Sequence, residues 1–179
     1  VQGRVSQGVS GMKLSRGDRV IGMIVSDNFD NNVLTISKFG MAKRTRLGSG
    51  QMINQYEENG QKVVDESGED VFERDGYRKT NRGTKGVRTM ALNEGDEIIG
   101  VRQIPNLSDQ LFMLTKSGMM IRLAANQTKE TRGKVAKGTR IMELRNKDKT
   151  AYNDEIIFVA RLPSELIEEN NDDSSDEEE

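Results

Sequence analysis

Three short stretches bring basic side chains together with glycine at recurring positions: Gly3-Arg4-Val5-Ser6-Gln7-Gly8-Val9, Asn81-Arg82-Gly83-Thr84-Lys85-Gly86-Val87 and Gly133-Lys134-Val135-Ala136-Lys137-Gly138-Thr139. Glycine lets a backbone come close to a phosphate or permits a bend, while Lys adds a point charge and Arg a planar fork of donors. The chemistry these residues can do is polyanion binding, blind to sequence and steeply weakened by salt. Catalysis fits poorly, because the chain holds no His and no Cys. That removes the thiol nucleophile, the imidazole base, the disulfide and the usual zinc ligand sets. Tyr56, Tyr77 and Tyr152 have no acid or base set around them in the sequence, so no catalytic residue and no metal site is assigned.

The formal net charge of −2 conceals a sharply uneven distribution. Eight basic residues stand against three acidic ones over 1–47, and sixteen against seven over 76–150. Two basic residues stand against eight acidic over 48–75, and one against eleven over 151–179. Basic bodies alternating with acidic segments point to a polyanion partner, since clustered Lys and Arg raise the local potential and release phosphate counterions on binding. Taken singly, each of these cations is equally an ordinary solvated charge. No window approaches the roughly 18 uninterrupted apolar residues of a spanning helix, and no membrane partner is expected.

The elements that position these residues are repeated. A shift of 78 superimposes Arg4 on Arg82, Gly8-Val9 on Gly86-Val87, Gly17-Asp18 on Gly95-Asp96, Ile21-Gly22 on Ile99-Gly100, Gly40-Met41 on Gly118-Met119 and Arg44 on Arg122. A third, degenerate copy at offset 52 places Lys134 on Arg82, Gly138 on Gly86 and Arg140 on Arg88; after an insertion, Asp154-Glu155-Ile156-Ile157 repeats Asp96-Glu97-Ile98-Ile99. Each unit reads as β: Val20–Val25 and Ile98–Val101 are strand-like runs, followed by Asn32–Ser37 and Gln110–Thr115, a glycine turn and a returning strand. Met12, Met90 and Met142, with Leu14, Leu92 and Leu144, recur at alternating positions and are expected to fill a core. A repeated β unit of about 40–50 residues is what radial β architectures are built from. The fold class is therefore all-β and β-propeller-like, with four-stranded blades and an incomplete set of them in this chain.

The organisation expected is a blade repeat over 1–47, an acidic insert over 48–75 that leaves the blade and is open to disorder, and a blade repeat over 76–130. A final degenerate repeat over 131–162 and an acidic tail over 163–179, disordered when free, complete the chain. The basic-glycine motifs, Gly-Asp turns and hairpin glycines at blade spacing resemble the C-terminal β-pinwheel domain of the DNA gyrase A protein, with the related topoisomerase IV protein the next candidate. The heptapeptide that marks the family's first blade is absent; Asn81-Arg82-Gly83-Thr84-Lys85-Gly86 is only its repeat relative. The resemblance implies the later half of a pinwheel of about six blades.

The resemblance further implies a non-catalytic, DNA-wrapping part of an ATP-dependent type IIA topoisomerase in the bacterial cytoplasm, at the nucleoid. It would act with the rest of gyrase A and with gyrase B in an A2B2 assembly; no cofactor is expected in this chain, ATP and Mg acting elsewhere. Its candidate DNA contacts are Arg4, Arg82, Lys85, Arg88, Lys134, Lys137 and Arg140 in the motifs, Lys43, Arg44, Arg46 and Arg122 after the hairpins, and Arg78, Lys79, Lys129 and Arg132 leading into the motifs. The acidic tail, tethered beside a basic rim, would compete with DNA. A propeller scaffold for protein partners, or an RNA-binding repeat poor in stacking aromatics, are the other readings of the same charges.

Overall fold

The computed structural model describes residues 4–131 and 136–167. The strand-like run Asn32–Ser37 forms β1 and turns back as β2, Met41–Arg46, pairing Thr35 with Lys43 and Ile36 with Ala42. Its counterpart 78 residues on forms β6, Gln110–Thr115, and β7, Met120–Ala124, by way of β5, Ile98–Ile104. Both turns use glycine at positive φ, +82° at Gly40 and +88° at Gly118, which a Cβ would strain. Both are also tied by a hydroxyl at the same repeat position. Ser37 Oγ accepts the Met41 amide and Thr115 Oγ1 accepts the Met119 amide, each at 3.2 Å.

Each hairpin completes its sheet with a strand from the following repeat. β5 pairs antiparallel with β1, and β9, Ile156–Leu162, pairs antiparallel with β6. The register shifts at the same place in both, between Ile36 and Ser37 and between Leu114 and Thr115. Beyond β2 the third repeat adds a short strand, β8, Thr139–Arg140. The result is a four-stranded sheet in the order β5-β1-β2-β8 and a three-stranded sheet in the order β7-β6-β9. Leu34, Ile36, Ala42, Ile104, Leu111, Met113, Leu144, Ile156 and Val159 form one buried cluster linking the two.

A carboxylate latch repeats with the strands. Asp96 accepts the Ser37 hydroxyl at 2.7 Å and the Phe39 amide at 3.0 Å, fixing the first hairpin turn to the second repeat. Asp154 accepts the Ser117 amide at 3.2 Å and the Ser117 hydroxyl, fixing the second turn to the third repeat. Burial alone would raise the Asp154 carboxyl, but hydrogen bonds from Ser117, Thr115 and the Glu155 amide outweigh it and hold its pKa down at about 2. Lys38 and Lys116 in the two turns pair with Glu97 and Glu155 beside these latches, at 3.5 and 3.1 Å.

The fold departs from the sequence expectations in two elements of the first repeats. Val20–Val25 forms no strand; Val20, Met23 and Val25 are 71%, 82% and 79% exposed. Because each such run pairs with the hairpin of the repeat before it, this one needs a preceding hairpin, and residues 4–31 contain none. Of the six alternating Met and Leu residues, Met90 and Leu144 are buried and Met142 half-buried, whereas Met12, Leu14 and Leu92 are exposed.

The insert is folded, a further departure from the disorder left open for it. Met52–Asn54 (β3) and Phe72–Arg74 (β4) pair as its stem. Above them Gln55, Val63 and Val71, spaced by eight, close a ring of backbone hydrogen bonds: Val63 donates to Gln55, Val71 to Val63 and Gln55 to Val71, at 2.8–2.9 Å. Turns ending at Gly60 and Gly68 are tied to Glu57 and Asp65 carbonyls. The Asp65 carboxyl, hydrogen-bonded first by the Ser67 hydroxyl and then by the Glu69 and Ser67 amides, is held below its ordinary pKa. The C-terminal part of the acidic tail, 168–179, lies outside the described residues.

Candidate nucleic-acid interface

The segment that follows each basic-glycine motif packs against the motif of the next repeat, in one register. Lys13 N donates to Thr84 O at 2.9 Å, and the equivalent pair one repeat later, Ala91 N to Ala136 O, is bonded at 3.2 Å. Gly83 N also donates to Gly11 O at 3.1 Å. Neighbouring repeats thus present their motif loops in succession, which is what a track for a continuous polyanion requires.

The candidate residues divide by what they touch. Arg4, Arg78, Arg82, Lys85, Arg88 and Lys129 are exposed and make no ion pair among the described residues. Lys79, also exposed, stands 4.9 Å over the Phe29 ring, and Arg122 stands 5.6 Å over the Phe112 ring. Lys137 donates to Asn93 Oδ1 at 2.8 Å from an exposed position. Arg140 in β8 is half-buried and 3.7 Å from Glu143. Arg132 and Lys134 lie outside the described residues.

Three of the expected contacts are engaged elsewhere. Lys43 is only 1% exposed and donates to Thr89 O at 2.5 Å; burial pushes its ammonium pKa down. Arg44, 7% exposed, donates to Thr128 O at 3.2 Å and pairs with Glu130 at 3.2 Å. Arg46 bridges Asp30 at 2.5 Å and Asp75 at 3.5 Å. The physical reason is position: all three lie on β2, the strand flanked on both sides in its sheet, so Lys43 and Arg44 meet neighbouring repeats instead of solvent. Lys43 and Arg44 join neighbouring repeats and are buried from solvent, whereas Arg46, its side chain 38% exposed, is held by its two carboxylates.

Sequence reasoning also passed over a cation. Arg74, assigned to the acidic insert by charge count, ends β4 and donates to Gly50 O at 2.6 Å. There it joins Lys43, Arg78 and Arg88 around one cavity. No periodicity could have found it, because the insert lies outside the 78-residue repeat.

No helix among the described residues is long and apolar enough to cross a membrane. A family described as the DNA gyrase C-terminal domain, beta-propeller, matches residues 1–27, 31–49, 71–105 and 109–152, leaving the insert's 50–70 unmatched. The DNA gyrase A protein of Campylobacter jejuni subsp. jejuni is 30% identical over 177 residues, 98% of this chain and 16% of that protein. Its counterpart in Fibrobacter succinogenes is 31% identical over 148 residues, 82% of this chain and 13% of its own length. The chain thus spans under a fifth of the length of these relatives. Among solved structures, the C-terminal domain of DNA topoisomerase IV aligns with a TM-score of 0.57 at 16% identity, covering 86% of this chain and 37% of that one. The E. coli ParC C-terminal domain aligns at 0.52 and 18%, covering 86% and 49%, so that these two likenesses speak for the fold. With its repeats, strand exchange and matched segments together, the chain belongs to the DNA gyrase A C-terminal domain family, a β-propeller of pinwheel type.

Proposed function

We propose that this chain binds and bends duplex DNA along its basic-glycine loops without reading sequence, as the non-catalytic, DNA-wrapping part of a gyrase-type type IIA topoisomerase. The observation that carries the reading is the common register in which each motif meets the preceding repeat, Lys13 on Thr84 and Ala91 on Ala136, with Arg4, Arg82, Lys85 and Arg88 making no ion pair among the described residues. Backbone and Arg contacts to phosphate position a duplex and carry no base code, so the energy of bending replaces base readout. In the cell this part would work in the bacterial cytoplasm with the remainder of gyrase A and with gyrase B, where the strand cleavage and the ATP and Mg chemistry reside. The carboxylates of 168–179, tethered at high effective concentration, would compete with DNA for the cations.

Binding to linear duplexes of increasing length, measured across a salt series with residues 168–179 present and deleted, tests this. Six phosphate contacts predict a loss of about 10³-fold in affinity between 50 and 200 mM salt. Affinity should rise with length until the track is filled, and tail deletion should tighten binding most at low salt. Flat, salt-insensitive binding would leave the protein-scaffold reading in its place, and unchanged affinity on deletion would remove the tail from the account.

A further inference from the structure

Where the insert's stem meets the second repeat, a cavity of about 340 Å³ opens between β2, β4 and the segment Gly76–Thr89. Its walls bring four cations together, Lys43, Arg74, Arg78 and Arg88, against a single carboxylate, Glu73. Two of the four are committed: Lys43 to the Thr89 carbonyl at 2.5 Å and Arg74 to the Gly50 carbonyl at 2.6 Å. Arg78 and Arg88 are not, for neither makes a hydrogen bond or ion pair among the described residues. The Tyr77 hydroxyl, paired with Thr89 Oγ1 at 2.5 Å, adds a polar group to the same wall.

Like charges gathered in a concave site repel one another more strongly than on an open surface, because the walls exclude part of the water that would screen them. Among the described lining residues one carboxylate stands against four cations. Burial at this wall already lowers the pKa of Lys43. An anion carrying several oxygens relieves this, and two arginines lining one cavity suit a tetrahedral oxyanion better than a single carboxylate. A cavity of this size falls within the range of small-ligand sites.

We propose that this cavity is a phosphate-binding site, with Arg78 and Arg88 as its ligating cations and with the insert, through Arg74 and Glu73, as one of its walls. The phosphate group could be carried by a DNA backbone or by a free phosphate compound; the chemistry recognised is the same. For the first source the inference rests on the proposed DNA binding, and for the second it stands without it.

Inorganic pyrophosphate, titrated calorimetrically into the full chain, is the probe. Binding is expected, and the double variant R78Q/R88Q should weaken it by about 10- to 100-fold, the worth of a charge-assisted hydrogen bond. R78K/R88K, which keeps charge but loses the forks, should restore only part of it. R82Q/K85Q, altered outside the cavity, should weaken DNA binding and leave pyrophosphate binding unchanged, so that failure of one reading is told from failure of the other. Pyrophosphate that displaces bound duplex from the wild-type chain assigns the site to DNA backbone phosphate; simultaneous binding of both assigns it to a free phosphate compound. Either supports the proposal. Absence of pyrophosphate binding, or binding equally strong to R78Q/R88Q, overturns it. Both arginines are exposed, so the variants are expected to keep the wild-type circular dichroism.

Discussion

Val20–Val25 and Ile98–Ile104 occupy the same place in successive repeats, and both are rich in β-branched and apolar residues. The second is a seven-residue strand paired along the whole of β1; the first forms no strand, with Val20, Ile21, Met23 and Val25 exposed. The later run finds a hairpin belonging to the repeat before it, and the earlier one does not. What makes a strand here is the ladder on offer and not the propensity of the run. The basic segments follow the same rule: Lys43 and Arg44, on a strand with neighbours on both sides, became structural, whereas Arg82 and Lys85, in a loop, stayed open.

The contrast is broken most severely at the position shared by Val20, Ile98 and Ile156. Ile156→Ala, at a site 1% exposed, should cost about 2–5 kcal/mol in chemical denaturation. Val20→Ala, at a site 71% exposed, should stay within about 0.5 kcal/mol. Equal effects would mean that Val20 is packed in solution. Next come the glycines of the first and third motifs. A Cβ on Gly138, at φ +82°, would lie 2.2 Å from the Ala42 carbonyl oxygen, so Gly138→Ala should cost about 3 kcal/mol through backbone strain and overpacking together. Gly8, at φ +77°, has nothing within 4 Å, and Gly8→Ala should cost only the conformational penalty of about 1 kcal/mol.

A smaller effect separates the latch from its relative in the first repeat. Asp96→Asn forfeits part of a three-bond acceptor site for Ser37, Phe39 and Glu97, and should lose about 1–2 kcal/mol while the Phe39 amide exchanges faster with solvent. Asp18 accepts only the Ser15 amide at 2.9 Å on an exposed turn, so Asp18→Asn should leave the midpoint almost unmoved. The mildest test is acidity. The Asp154 pKa is lowered in the fold from 3.8 to about 2, so its contribution is complete above the unfolded value and is lost as pH falls from about 4 towards 2. Protection of the Ser117 amide, taken relative to its intrinsic exchange rate at each pH, should fall over that window, and in Asp154→Asn that fall should be absent.

Much of this architecture is legible in the order of the residues. The hairpins announce themselves through alternating apolar residues and a glycine at the same place in both copies, Gly40 and Gly118. The 78-residue shift locates the Asp96 position as well, although only as turn punctuation; its service to the preceding hairpin depends on which strand sits next to which. The same ignorance of neighbours placed Lys43 and Arg44 on the DNA surface and Met12 and Leu14 in the core. Within the insert, an eight-residue spacing is present at Gln55, Val63 and Val71 and between Gly60 and Gly68, but hidden by the acidic composition, which reads as solvated. Arg74 is concealed by the same averaging of charge.

Strand exchange also imposes a timetable on the newborn chain. β2 ends at Arg46, but its outer neighbour ends at Arg140, and β1 waits for a strand that ends at Ile104. At a synthesis rate of roughly 5–20 residues per second, the ribosome needs about 5–20 seconds to travel from Arg46 to Arg140. Until Ile104 is made the first hairpin is a two-stranded ribbon with both edges open, too small to be stable alone, and from then to Arg140 the β2 edge stays open. Translation speed through 47–140 therefore bears directly on the yield of native protein, and a pause in that stretch prolongs the exposure of edges on which a neighbouring nascent chain can pair.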